Sequence, residues 1–166
     1  MLLLTRSIWQ RVVAHCLDGF PLEACGLLAG RPLPGGEGAG PDVTRAGPDG
    51  MAARPDATGV ELICTGAEVV EAYPARNAAA SARLYVVEPL DLLHADREAE
   101  AAGLSLVGVW HSHTHTDAYP SPTDVEQAPD PTWHYVLVSL RDTEPVLRSY
   151  RIIGQDIFEE DVLLRS

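Results

Sequence analysis

The chain has 166 residues and a mass of 17.9 kDa, near the commonest size for one domain, so a single core spanning 1–166 is expected. With 46% hydrophobic and 22% charged residues it reads as globular rather than disordered, and its longest apolar run, Leu104–Trp110, is far short of the ~20 residues that a membrane span needs. Acidic residues number 24 against 12 arginines and no lysine, a net charge of −12 that argues against nucleic acid as a partner.

Arg6 and Gln10 interrupt the apolar start Met1–Leu4, and no small-residue cleavage site follows, so a cytoplasmic chain is expected. Cys16, Cys25 and Cys64 are odd in number and lack C-x-x-C spacing, which suggests neither a disulfide framework nor a thiolate zinc site. All three read as reduced, structural residues.

In chain order, Ile8, Val12, Val13, Cys16 and Leu17 fall at helical spacing over Thr5–Asp18, with Thr5 or Ser7 as N-cap and Gly19 past the end. Ala24–Gly30 is a short apolar run bounded by glycine, which predicts a buried strand. From Arg31 to Gly59 there are seven Gly and five Pro with no period, predicting a long loop, either an insertion or a lid. Val60–Cys64 and Val69–Tyr73 read as strands around a turn at Thr65-Gly66, and Leu84–Val87 as a third. Pro89 opens a second helix with Leu90, Leu93 and Ala99 as its stripe and Gly103 as its stop.

Leu104–Trp110 then reads as a central strand buried on both faces, because it does not alternate. Tyr135–Leu140 and Val146–Ile153 predict a hairpin, and the acidic tail, Asp156 with Glu159–Asp161, a solvated helix face. Helices alternating with strands give an α/β sheet domain.

The chemistry gathers at the end of the central strand, where three of the six histidines, His111, His113 and His115, lie within five residues. Alternation along a strand puts His111 and His113 on one face and turns Ser112 away, so the pair can chelate one ion. The run Ser121-Pro122-Thr123-Asp124 reads as a helix start, with Ser121 as N-cap, Pro122 at N1 and Asp124 at N3. Taken alone this is a capping box. With the two histidines it makes a His₂Asp set that leaves a fourth zinc position open, the arrangement of a catalytic rather than a structural site.

These residues resemble a known family. His111-Ser112-His113, seven residues, Ser121, two residues and Asp124 match the H-x-H-x(7)-S-x-x-D signature of the JAMM or MPN+ metalloproteases. Pro21-Leu22-Glu23-Ala24-Cys25-Gly26 is similar to the family's upstream glutamate segment, a choice of Glu23 that spacing alone does not make. The order of elements also resembles that fold, apart from 31–59. The resemblance implies the MPN, cytidine-deaminase-like fold, a mixed curved sheet flanked by helices. It further implies His111, His113 and Asp124 as Zn2+ ligands, Glu23 as general base and Ser121 as oxyanion donor.

His115 has no place in the signature and is expected to be exposed or on the substrate side. Thr114 stands where many members have Pro. Small stand-alone bacterial members are the most similar, which implies as substrate and partner a ubiquitin-like sulfur-carrier protein, cut after its C-terminal Gly-Gly. The competing reading is a zinc-containing module that binds such a partner without catalysis. A relative of DNA-repair proteins, with His-Asn-His-Pro in the same spacing, fits less well, and the H-x-E with P-C-x-x-C of zinc deaminases is missing. Substrate-contacting residues and pairing of copies as a homodimer are left open.

Overall fold

The computed structural model describes residues 1–33, 44–45 and 66–166. In chain order the elements are β1 (Leu2–Thr5), α1 (Arg6–Gly19), β2 (Cys25–Pro32), β3 (Thr44–Arg45), β4 (Ala67–Ala75), α2 (Pro89–Ala101) and β5 (Ser105–His113). There follow α3 (Pro122–Glu126), β6 (His134–Ser139), β7 (Val146–Ile153), β8 (Asp156–Glu160) and β9 (Val162–Arg165). The strands form one sheet in the order β3-β8-β7-β6-β5-β2-β4-β1-β9. It is mixed: β5–β6, β1–β4 and β1–β9 are parallel and the other pairs antiparallel.

Alternation divides the core between the two faces of the sheet. Leu28, Trp110, Val136 and Val138 pack with Ile8, Val12, Val13 and Cys16 of α1. Their neighbours Leu27, Val109, Tyr135 and Leu137 point the other way, and pack with Ala95 of α2 and Val125 of α3. The central strand is therefore covered on both sides along its C-terminal half, where Gly108 to His113 are buried. Its first half is more open than expected. The Thr5 hydroxyl caps α1 by accepting the Ile8 N–H at 3.3 Å.

Several expectations are corrected. Leu17 is exposed rather than part of the α1 stripe. In α2, Leu90 and Leu93 are exposed and the inward residues are Ala95 and Ala99. The physical reason is phase: at 3.6 residues per turn Leu90 and Ala99 lie about 180° apart, so they cannot share a stripe. Small alanines are what the sheet accepts. Leu84–Val87 is not a strand, with only an isolated bridge from Val87 to Asn77.

The acidic tail is not a helix: Asp156–Glu160 is β8, paired with β7. Its β-branched and aromatic pair, Ile157 and Phe158, packs into the sheet core, and Glu160 is itself buried. Leu2–Thr5, read only as an interrupted leader, is a strand between β4 and β9 with Leu2 and Leu4 buried. The loop begins later than Arg31, since β2 runs through Pro32. Most of the expected loop, and the strand expected at Val60–Cys64, lie outside the described residues.

Candidate metal centre

Register carries the histidines to one place. On β5, Cys25 of β2 lies opposite His111 and Leu137 of β6 lies beside it, with His113 next to Ser139. His111 and His113 share the Val109 face, while Ser112 turns toward α1, where its hydroxyl accepts the Ala24 N–H at 2.9 Å. The first turn of α3 supplies the third group. Asp124 Oδ2 accepts the Ser121 N–H at 2.7 Å and the Ser121 hydroxyl accepts the Asp124 N–H at 3.2 Å, so the capping box forms and also orients the carboxylate.

The three side chains close a triangle. His111 Nε2 and His113 Nε2 are 3.2 Å apart, His111 Nε2 is 3.3 Å from Asp124 Oδ1, and His113 Nε2 is 3.4 Å from Asp124 Oδ2. Each imidazole faces a different oxygen of the carboxylate, and one ligand atom from each of the three residues lies within 4.8 Å of the others, close enough to share one metal ion. The protons agree with it. His113 Nδ1 faces the Asp117 carbonyl at 2.8 Å, an acceptor only, so Nδ1 carries the hydrogen and Nε2 offers a lone pair to the site. Beside a carboxylate and a second imidazole, this is a buried cluster of acceptors suited to a cation. His111, His113 and Asp124 are the only such group among the described residues.

Burial and charge set the electrostatics. Burial alone would raise the Asp124 carboxyl, but its bonds with His111, His113 and Ser121 hold it well below the usual carboxylate range. Complete burial lowers His111 in spite of Asp124. Glu23, two residues before β2 and buried, behaves oppositely to Asp124: burial pushes its carboxyl up to about 7, against the pull of His113 and with the help of Asp124.

His115 stays outside the group, exposed, with Nδ1 2.7 Å from the Thr114 hydroxyl and its ring parallel to Phe20 at 6.1 Å. Cys25 is buried and its thiol is pushed up to about 12, chiefly by that burial, in keeping with a packed residue. Trp110 belongs wholly to the core, whereas Trp133 is half-buried.

Two residues of the centre escaped the sequence reading. Tyr85 stacks on the His111 ring, with centroids 4.1 Å apart and planes at 19°. His111 Nδ1 is buried with no hydrogen-bond partner among the described residues, so the ring is held by the Tyr85 stack and by its Nε2 contacts with Asp124 and His113. Asn77 donates to the Glu23 carbonyl at 2.9 Å. Neither has a local signal in the chain, since each meets its partner only through the fold.

Known proteins share this arrangement of sequence. The profile of prokaryotic homologs of the JAB domain matches residues 5–153. A CysO-cysteine peptidase of Mycobacterium tuberculosis is 35% identical over 163 residues, covering 98% of this chain and 90% of the relative. A probable TtuB-protein conjugate cleaving protease of Thermus thermophilus is 39% identical over 129 residues, covering 77% of this chain and 64% of the relative. A solution structure of a Desulfitobacterium hafniense protein superposes with a TM-score of 0.76 at 28% identity, covering 100% of this chain and 94% of that one.

Proposed function

The chain belongs to the prokaryotic JAB-domain family, and from that premise we propose that it is a zinc-dependent peptidase acting on a ubiquitin-like sulfur-carrier protein. The bond cut is the peptide or isopeptide bond after the carrier's terminal Gly-Gly. The observation that carries the chemistry is the convergence of His111, His113 and Asp124, whose ligand atoms lie within 4.8 Å of one another, together with the raised carboxyl of Glu23, which feels His113 and Asp124. The substrate class rests on the relatives, whose names attach their activity to CysO-cysteine and to TtuB conjugates.

His111, His113 and Asp124 would hold the ion. Zinc, if bound there, would supply Lewis acidity that makes a water acidic enough to ionise near neutral pH. Glu23 takes the water proton as the oxygen attacks the glycine carbonyl carbon, and returns it to the leaving amine as the C–N bond breaks. A carboxyl near neutrality suits both halves of that transfer. Ser121 accepts the helix N–H through its oxygen and so keeps its own hydrogen free to donate to the carbonyl oxygen as it turns negative. Glycine at the scissile position has no Cβ, which lets the backbone approach a buried ion closely.

Mass spectrometry of carrier fusions bearing a short extension after Gly-Gly tests the reading. Zinc-loaded protein should release the extension, and replacing the last glycine with valine should abolish release. No cleavage of any carrier at full zinc occupancy would sink the peptidase and favour a module that only binds the carrier.

A further inference from the structure

Neither hydrogen-bonding group of the Glu23 main chain belongs to a sheet ladder. Its N–H donates to the Ser81 carbonyl at 2.9 Å, and its carbonyl accepts from Asn77 Nδ2 at 2.9 Å. Both partners sit on the segment between β4 and α2, and Asn77 closes that segment on itself. Nδ2 also donates to the Leu84 carbonyl at 2.9 Å, while Oδ1 accepts the Ala79 and Val86 N–H groups, both at 3.0 Å. The backbone of Asn77 bridges to Val87 as well. An amide has two donor hydrogens and two acceptor lone pairs, and all four are engaged here.

We propose that Asn77 is the positioning residue for Glu23: its amide fixes the main chain from which the Glu23 carboxyl reaches the metal centre. The proposal rests on the reading of Glu23 as general base. The next residue, Ala24, is tied to β5 through Ser112, so Glu23 is anchored on its C-terminal side by the sheet and on its own main chain by the Asn77 segment alone. Removing one amide therefore loosens the base, while β5 and α3 keep their own ladder and cap; the same amide also braces the segment that carries Tyr85. Proton transfer demands a near-attack geometry, and a displacement of about 1 Å can cost ~10²-fold in rate.

The test is a double-mutant cycle. Asn77→Asp keeps the acceptor for Ala79 and Val86 but removes the donors to the Glu23 and Leu84 carbonyls. Turnover of the Gly-Gly fusion should fall ~10–10²-fold with KM and zinc content unchanged. In a Glu23→Gln background the same substitution should cost less than ~2-fold, because there is no base left to misplace. Equal losses in both backgrounds, or no loss in the first, would overturn the proposal. Amide hydrogen exchange supplies a readout that needs no substrate: Asn77→Ala should strip protection from Glu23 by ~10-fold or more while β5 amides keep theirs. Unchanged protection at Glu23 would overturn the proposal. If the wild-type protein cleaves no carrier, the functional reading fails, and the exchange measurement still decides whether Asn77 holds Glu23.

Discussion

Two carboxylates of one site are driven apart by their surroundings. Asp124 is kept ionised by two imidazoles and the Ser121 cap, and Glu23 is pushed up to about 7 by burial, so the first suits a cation ligand and the second proton transfer. Glu23→Gln should keep about one zinc per chain and lose ~10²–10⁴ in turnover, as metal analysis beside a cleavage assay would show. Full activity in that variant would mean that another group is the base. Asp124→Asn should instead lose the metal, since a neutral amide oxygen replaces the anionic ligand. Ser121→Ala separates two jobs of one hydroxyl. Loss of the cap costs ~1 kcal/mol of stability, and loss of an oxyanion donor costs a further ~10²–10³ in rate. A lower melting temperature with an unchanged rate would leave Ser121 as a cap only.

The elements that position these residues leave little slack. A Cβ on Gly26 of β2 would stand 2.4 Å from the Trp110 indole and 2.4 Å from the Tyr73 carbonyl, so the strand can lie against the indole only as glycine. Gly26→Ala should destabilise the chain by ~1–3 kcal/mol or more, as a lower denaturation midpoint would report. A neutral effect would show that the strand can shift. Gly103 ends α2 at φ +67°, as its place after the helix predicts. Hydrophobicity points to the wrong face of that helix, because the leucines are its most hydrophobic residues yet the sheet is approached through Ala95 and Ala99. Composition ranks residues by hydrophobicity, whereas close packing selects by volume.

Across the whole molecule, β6, β7 and β8 share a second buried polar cluster. Glu160 Oε1 accepts from His134 Nδ1 at 2.5 Å and from the Ser149 hydroxyl at 2.7 Å, and Arg151 Nη2 donates to His134 Nε2 at 2.9 Å. A guanidinium can only donate, so His134 is neutral with its hydrogen on Nδ1. Burial, seconded by Arg151, holds His134 below its ordinary 6.5 against the pull of Glu160. For Glu160, burial is outweighed by His134 and Arg151, and the carboxyl lies near 2 rather than its ordinary 4.5.

Both groups bind protons more readily when unfolded, so both contributions to stability are complete above the unfolded values and fade as pH falls. Glu23, with its carboxyl pushed up to about 7, works in the opposite sense between pH 7 and 4.5, so the net fall in melting temperature is expected from pH 4.5 toward 2, where Glu160 and Asp124 take up protons on unfolding. Thermal melts across that range measure it, and a flat profile from pH 4.5 to 2 would contradict it. Glu160→Gln should cost ~3–5 kcal/mol at neutral pH by leaving the buried Arg151 without its anion.

Features legible along the chain are local. Periodicity placed α1, β2, β5, β6 and β7, Pro89 and Gly103 bounded α2, and the spacing from His111 to Asp124 marked one face of a strand and the first turn of a helix. Each of these depends on residues close together in the chain, where side-chain period and cap chemistry act directly. The tertiary structure decided the rest. Leu2–Thr5 becomes a strand because β4 and β9 accept it, and Asp156–Glu160 is strand rather than helix because β7 lies beside it. The residues that brace the site, Tyr85 on His111 and Asn77 on Glu23, act across 26 and 54 positions of sequence, so only the folded chain brings each pair into contact.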